Sequence, residues 1–272
     1  MHALLVLGGR EMRVDLSQPV DLALPLDFAG AQPRHFGAPA ASAQPLRLGE
    51  FEGAVQLGAS CNCEVLTLTP HCNGTHTECV GHLTRERVDA FRVVPAGLVP
   101  ALLVSVRPEP AHGCREGSDP QPRGGDALIT RGALERAWGR APFAPRALIV
   151  RTLPNATDKR THDYSAETPP YLTREAAELL VERAILHLVV DLPSLDRARD
   201  AGRLTAHRVF FGLPPAVSAL AAATRPDATV TEFAFVPESV QDGPWLLELQ
   251  VPALGGDAVP SRPLLYGLEP IP

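Results

Sequence analysis

The sequence predicts a mixed α/β protein in which strands outnumber helices. Six short runs are rich in branched apolar residues, whereas only three stretches carry helical signals. Apolar residues make up 45% of the 272 positions, enough for a sizeable core, and we find no repeat or linker that divides the chain. We therefore expect one domain that covers residues 1–272.

The strand candidates are spread along most of the chain. They cover residues 64–69, 98–106, 146–152, 185–192, 229–236 and 245–251. Two of them contain a run of largely apolar residues without alternation, at 101–104 and at 188–192, the second interrupted by Asp191. Such runs are typical of strands that are buried on both faces of a sheet.

Three helices are predicted. The clearest begins after Thr173, because threonine caps helices well and the residues at 177, 180, 181 and 184 are apolar at helical spacing. A second helix is predicted after Thr130, and a third over about residues 215–223.

The charge pattern argues against nucleic acid and membrane partners. The net charge is −6, and no long run of one sign occurs. The apolar stretch near Met1 is too short to span a bilayer and follows no basic segment. We expect a cytoplasmic protein with a small-molecule substrate.

One stretch, PHCNGTHTECVGHLT at 70–84, concentrates groups that bind metals. If residues 75–77 are extended, His76 and Glu78 point to the same side. An imidazole beside a carboxylate suits Zn²⁺ or Mn²⁺, and Gly74 would let the chain turn so that Cys72 reaches the same point. His82 lies close enough to face a metal without binding it.

Spacing alone leaves other interpretations open. The stretch could be a cluster of solvated polar residues, and a single histidine in a loop usually is. A further hypothesis is a structural zinc module, which would need four protein ligands and no open position. Its ligands would be Cys61, Cys63, His71 and Cys72.

The same stretch resembles the signature H-x-G-T-H-x-D-x-P-x-H of the "Putative cyclase" family, the kynurenine formamidase-like metal-dependent hydrolases. Four positions match the signature: Gly74, Thr75, His76 and His82. Three positions depart from it: Cys72, Glu78 and Val80. The resemblance continues through the segments 13–21, 169–196, 201–211 and 230–235, in the order that the family has them.

The resemblance implies a fold and a site. The fold would be the swivelling β/β/α-type cyclase fold, with a mixed sheet partly rolled into a barrel and flanking helices. The metal ligands would be Cys72, His76, Glu78, His207 and Glu232. They would hold one or two Zn²⁺ or Mn²⁺ ions per chain, and His82 would be the general acid/base. Family members also commonly form homodimers or homotetramers.

The implied activity is metal-assisted hydrolysis of a small amide, formamide or cyclic amide, in which hydroxide attacks a carbonyl. An arylformamidase-like enzyme acting on carbon–nitrogen bonds is the family precedent. The departures at Cys72 and Glu78 favour an alternative, a catalytically degenerate member that binds only a metal or small ligand. His71 could also replace Cys72 as a ligand if the loop is shifted in register.

Other polar residues carry weaker signals. His187 lies in an apolar strand and is expected to be a core histidine. Asp191, Ser194 and Asp196 are expected to form a structural polar turn that supports the ligands. The loop 154–168, with His162 and Tyr164, is a candidate border of the substrate pocket.

Overall fold

The computed structural model describes residues 1–271. It contains eighteen strands and four α-helices within that range. The strands are β1 (His2–Leu7), β2 (Arg10–Asp15), β3 (Val20–Asp21), β4 (Ser42–Pro45), β5 (Arg47–Leu48), β6 (Phe51–Glu52), β7 (Glu64–Thr67), β8 (His76–Cys79), β9 (Val99–Val106), β10 (Glu109–Pro110), β11 (Ala127–Ile129), β12 (Ala147–Thr152), β13 (Tyr171–Leu172), β14 (His187–Val190), β15 (Thr229–Glu232), β16 (Gly243–Gln250), β17 (Ala258–Pro260) and β18 (Arg262–Pro270). The helices are α1 (Ala90–Val93), α2 (Arg131–Ala137), α3 (Arg174–Glu182) and α4 (Thr205–Phe211).

One large mixed sheet organises the molecule. Its order is β1-β2-β18-β16-β9-β12-β14-β15-β8-β17, and β3 also pairs with β18. The central strands β9, β12, β14 and β15 run parallel, whereas the strands on both sides pair antiparallel. β1 and β17 end the order, so the described strands form an open sheet and not a closed barrel.

The centre of the sheet is buried on both faces, as the continuous apolar runs predict. Leu102 and Leu148 face a core that includes residues of α2, α3 and α4, while Leu103 and Ile149 face a second core on the other side. Alternate residues of each strand point to opposite faces, so both layers need apolar side chains.

Two of the predicted helices form where their caps indicate. The Oγ1 of Thr173 accepts a hydrogen bond from the amide of Ala176 at 3.1 Å, and Thr130 caps α2 in the same way through Ala133 at 3.0 Å. Each bond satisfies an amide that the helix itself leaves unpaired.

The helix predicted over about 215–223 is wrong. That segment holds only a 3₁₀ turn at Leu220–Ala222, and Ala216 has a φ of +60°, which is incompatible with a right-handed helix. The guanidinium of Arg208 also donates hydrogen bonds to the carbonyl oxygens of Pro214 and Val217, at 3.1 and 2.7 Å, so these oxygens bind a side chain instead of helix amides. The helix in this part of the chain is α4 instead.

Within residues 1–271, no helix combines the length and the apolar character that crossing a membrane requires.

Candidate metal centre and active site

Strand β8 places His76 and Glu78 on one face of the sheet, as their spacing predicts. Thr75, the residue before the strand, anchors the start of β8 by two hydrogen bonds. Its Oγ1 donates to the carbonyl of Phe233 at 2.5 Å and accepts from the amide of Leu24 at 2.8 Å. Gly74 precedes it with a φ of +73°, and a Cβ there would lie 2.8 Å from the Leu26 side chain. Only glycine fits this turn without strain.

Strand β15 pairs with β8 and brings Glu232 directly opposite His76. The Oε1 of Glu232 accepts a hydrogen bond from the amide of Leu195 at 2.9 Å. The strand ends here because Phe233 has a φ of +55°, so it stops short of the predicted residue 236. This turn leaves the Glu232 carboxylate in the buried interior of the site.

His207 reaches the same place from helix α4. The Oδ2 of Asp196 accepts hydrogen bonds from the amide of His207 at 3.1 Å and from its Nδ1 at 2.7 Å. The Oδ1 of Asp196 accepts from the amide of Ala206 at 2.7 Å. Asp196 therefore both caps the helix and turns the Nε2 of His207 toward the carboxylates.

These side chains converge on a small volume. The Nε2 of His207 lies 2.9 Å from Glu78 Oε1 and 3.4 Å from Glu232 Oε1. The Nε2 of His76 lies 3.3 Å from Glu232 Oε2. All four residues are buried. Four of the five ligands that the resemblance implies are thus brought together by the fold.

The converging atoms are close but do not hydrogen-bond. The Nε2 atoms of His76 and His207 and both carboxylate oxygens of Glu78 are buried without a hydrogen-bond partner among the described residues. Leaving such atoms unpaired is costly, so native structures rarely do it. The ligand atoms form two overlapping groups, His71–His76–Glu78 and Glu78–His207–Glu232, and within each group they lie within 4.8 Å of one another, close enough to hold a metal ion.

The electrostatics of the cluster suit a cation. Burial lowers the pKa of His207, but the charge of Glu78, the hydrogen bond to Asp196 and the nearby carboxylate of Glu232 raise it well above its usual value. Burial raises the pKa of Glu78, but His82 and His207 hold it well below the usual range. Burial and the charge of Glu78 raise the pKa of Glu232, but His207 and His76 bring it below its usual value. Both carboxylates therefore favour the ionised form, which attracts positive charge.

At the start of the motif, His71 contacts the cluster, while burial and the charge of Glu232 raise the pKa of the Cys72 thiol. The two residues lie in a 3₁₀ turn, Pro70–Cys72. The Nδ1 of His71 lies 3.0 Å from Glu78 Oε2, and His71, His76 and Glu78 have ligand atoms that all lie within 4.8 Å of one another. The Cys72 thiol joins no such group within residues 1–271.

Asp257 supports this part of the site. Its Oδ2 lies 2.7 Å from Nε2 of His71 and 3.4 Å from Nδ1 of His82. Its contacts with these two rings hold the pKa of Asp257 well below its usual range. Burial lowers the pKa of His71, but its contacts with Asp257 and Glu78 raise it to about 10. Sequence reasoning missed Asp257, because it stands in a loop far from the motif.

His82 occupies the rim of the centre. Its Nε2 lies 4.0 Å from Glu78 Oε2, and its side chain is about a quarter exposed. Gly81 allows this packing: a Cβ there would lie 2.6 Å from the carbonyl oxygen of Val88 and 3.1 Å from the Cβ of Asp257. The structure places His82 where it faces both the cluster and the solvent.

Other candidates from the sequence lie away from the cluster. Cys61 and Cys63 form no ligand group with His71 in the described part of the chain. Asp191 is buried, but it binds Lys159 at 2.9 Å and Thr152. The Nδ1 of His187 lies 2.9 Å from Thr229 Oγ1, as expected for a core histidine.

The three histidines that face the cluster share one arrangement. In each ring the nitrogen remote from the cluster has a partner: Asp196 for His207, Asp257 for His71 and, at 3.1 Å, the carbonyl of Gly74 for His76. Partners of this kind orient metal-binding imidazoles in proteins. The donor set of imidazoles and carboxylates fits Zn²⁺ or Mn²⁺.

Comparison with known proteins agrees with the fold. The model of the "Putative cyclase" family matches residues 14–197, more than half of the 272-residue chain. The chain belongs to this family. No curated protein sequence matches it.

Solved structures with a similar fold include metal-dependent hydrolases. An isatin hydrolase bound to the product analogue thioisatinate has a TM-score of 0.60 at 15% identity and covers 93% of each chain. Isatin hydrolase A from Labrenzia aggregata has a TM-score of 0.59 at 17% identity, covering 93% of this chain and 94% of that one. A "predicted metal-dependent hydrolase" from Bacillus stearothermophilus has a TM-score of 0.56 at 16% identity, covering 92% and 98%.

Proposed function

We propose that this protein is a hydrolase, dependent on a divalent cation, that cleaves the carbon–nitrogen bond of a small amide, formamide or cyclic amide. The observation that carries the proposal is the convergence of buried imidazole and carboxylate atoms that lack hydrogen-bond partners. The ligands in this proposal are His71, His76, Glu78, His207 and Glu232. His71 replaces Cys72 because its ring contacts Glu78.

The metal and two residues near it have separate roles in the proposed reaction. A bound Zn²⁺ or Mn²⁺ supplies Lewis acidity, which lowers the pKa of water and polarises a carbonyl. His82 is the general acid/base: its Nε2 faces the cluster, and it hands a proton to the leaving nitrogen. Asp257, beside its Nδ1, holds the ring in the orientation that this transfer needs.

One observation favours an amide as the substrate, and a second favours an aryl group on it. Two of the similar structures are named isatin hydrolase, and isatin is a cyclic amide. The centre also has an aromatic neighbour: the ring of Phe233 lies 6.2 Å from His76 and 6.0 Å from Tyr164, centroid to centroid. Tyr164 comes from the loop 154–168, the candidate border of the pocket. Aryl formamides and aryl cyclic amides are therefore the first substrates to test.

Elemental analysis of purified protein, followed by a hydrolysis screen, tests the proposal. We expect one or two Zn²⁺ or Mn²⁺ ions per chain. The screen would cover formanilides, cyclic amides including isatin, and lactones. Activity that a chelator removes and the metal restores would support the proposal. Protein that binds no divalent cation after metal loading would overturn it.

His82→Ala distinguishes the enzyme from the degenerate alternative. Loss of turnover with full metal content supports the enzyme. Metal binding by the wild-type protein with no hydrolysis of any substrate class supports a protein that only binds. The homodimer or homotetramer and the cytoplasmic location stay predictions, which light scattering and cell fractionation would test.

A further inference from the structure

Asp257 brings the outer sides of two histidine rings together at the rim of the centre. Its Oδ2 lies 2.7 Å from Nε2 of His71 and 3.4 Å from Nδ1 of His82. In each ring this is the nitrogen remote from Glu78, because Nδ1 of His71 and Nε2 of His82 lie 3.0 and 4.0 Å from Glu78 Oε2. The two rings therefore face the centre with one nitrogen and Asp257 with the other.

These three residues, which we call the rim group, have the donors of a metal site. His71, His82 and Asp257 each offer one ligand atom, and these atoms lie within 4.8 Å of one another. Two imidazoles and a carboxylate are a ligand set that Zn²⁺ accepts, with a position left for water. Bonds of about 2 Å place the donors around one Zn²⁺ ion roughly 3 Å apart. The contacts of Asp257 with the two rings, at 2.7 and 3.4 Å, lie on either side of this spacing.

The rim group is open to solvent, whereas the centre is buried. The side chains of His71, His82 and Asp257 are 25%, 26% and 41% exposed, so an ion can reach them directly from solution. The contacts of Asp257 with both rings hold its pKa well below its usual range, so its carboxylate is charged at neutral pH. The guanidinium of Arg87, which also lies near this loop, binds Asp89 at 2.8 Å, and its charge is thereby balanced.

We propose that His71, His82 and Asp257 bind a further Zn²⁺ ion, which inhibits the hydrolase by occupying the ring of its general acid/base. This inference rests on the proposed function for the role of His82, and it adds a regulatory site to it. The ion takes the place of the proton between His71 Nε2 and Asp257, and this proton leaves to the solvent. When the centre is also loaded through Nδ1, the His71 ring bridges the two sites as an imidazolate.

An ion in the rim group disables proton transfer by His82. A neutral imidazole has one N–H and one free lone pair. With the lone pair of Nδ1 on Zn²⁺, the hydrogen stays on Nε2, and the ring cannot accept a proton from water. Zn²⁺ in excess therefore lowers the rate without removing metal from the centre. Mg²⁺ prefers oxygen ligands, so the same concentration of Mg²⁺ should not inhibit.

Equilibrium dialysis against Zn²⁺, paired with hydrolysis rates, tests the site. We expect the wild type to bind one Zn²⁺ ion more weakly than the centre binds its metal, and the rate to fall as this weaker ion binds. His82→Ala and Asp257→Asn should each weaken the weaker ion by at least about ten-fold, the least that loss of even an orienting residue costs. His82→Ala should leave the tighter metal in place. Asp89→Asn is the control and should bind both as the wild type does, because Asp89 accepts from the amide of Gly256, beside Asp257, at 3.0 Å but lies outside the rim group.

The outcomes separate this inference from the proposed function. A rate that does not fall with excess Zn²⁺, or a weaker ion that both variants bind as well as the wild type, would overturn the inhibitory site and leave the hydrolase intact. Absence of any tighter metal would overturn the proposed function, whereas a weaker ion lost in both variants would still support binding at the rim. A circular dichroism melt of each variant identifies misfolding. If Asp257→Asn unfolds the protein, His82→Ala decides the question by dialysis alone.

Discussion

Asp196 binds His207 twice, because one carboxylate oxygen, Oδ2, accepts from both the backbone amide at 3.1 Å and the ring Nδ1 at 2.7 Å. The ring cannot rotate without losing its bond to the same carboxylate that caps the first turn of the helix. The direction of Nε2, and with it the geometry of the centre, is therefore built into the beginning of α4.

Asp196→Asn should weaken metal binding by about 10- to 100-fold, since an amide holds the imidazole less firmly and adds no negative charge. Chelator competition with Zn²⁺ measures this. Asp200→Asn is the matched control: Asp200 accepts from the amides of Gly202 at 2.8 Å and Leu204 at 2.6 Å in the same loop, but it forms no hydrogen bond or ion pair with the ring. Equal losses in both variants would mean that only the loop fold matters.

His71→Ala should weaken metal binding, whereas Cys72→Ala should leave it unchanged. His71→Ala removes a ring that lies 3.0 Å from Glu78. Loss of a residue that only orients a ligand lowers metal affinity by about 10- to 100-fold, and loss of the ligand itself should lower it further. Cys72→Ala removes a thiol outside the ligand groups, so affinity should stay near the wild-type value. Metal loss in Cys72→Ala with retention in His71→Ala would restore Cys72 as the ligand.

Asp257→Asn should lower both metal affinity and kcat, because Asp257 contacts both His71 and His82. His82→Ala should lower kcat alone, by about 10²- to 10⁴-fold, the usual contribution of a general acid/base. Steady-state kinetics on metal-loaded protein, paired with elemental analysis, separates the two patterns. Asp89→Asn is a control, since Asp89 binds the amide of Gly256, the residue before Asp257, at 3.0 Å. A normal kcat in Asp257→Asn would contradict the positioning of His82.

His187 should make the fold sensitive to mild acid. Burial lowers its pKa from 6.5 to about 4, so the unfolded chain binds a proton in a pH range where the folded protein does not. Its contribution to stability is complete above pH 6.5 and is lost as the pH falls toward 4. The loss reaches at most about 3 kcal/mol.

Melting temperatures of the wild type and His187→Gln between pH 7.5 and 4 test this effect. The wild type should lose more stability than the variant below pH 6.5. Parallel curves would show that His187 does not titrate in this way.

The local signals in the sequence predict much of the sheet. The strands at 99–106 and 147–152 follow from runs of branched residues, and α2 and α3 from the threonines before them. Helix α4 has no such signal, because the residue before it is Leu204 and its cap comes from Asp196, eight positions earlier still. A cap that the tertiary fold supplies from a distant residue cannot be predicted from the residues next to the helix.

The site shows the same limit. His76 and Glu78 alternate on one strand, so their common direction follows from the sequence. His207 and Glu232 entered the ligand set only through a family resemblance, since nothing near them in the chain indicates a metal. The choice between His71 and Cys72 depends on the 3₁₀ turn at Pro70–Cys72 and on Asp257, neither of which the motif encodes.

If His71 is the ligand, as we propose, relatives of this protein should be recognised in a different way. In a 3₁₀ turn, neighbouring side chains point about a third of a revolution apart, so a histidine one position earlier needs a different orientation to reach the same cavity. Here Asp257 lies 2.7 Å from Nε2 of His71 while its Nδ1 lies 3.0 Å from Glu78. Chains that lack the first histidine of the signature should therefore be inspected for a histidine at the preceding position, together with an acid before the edge strand, before they are set aside as inactive.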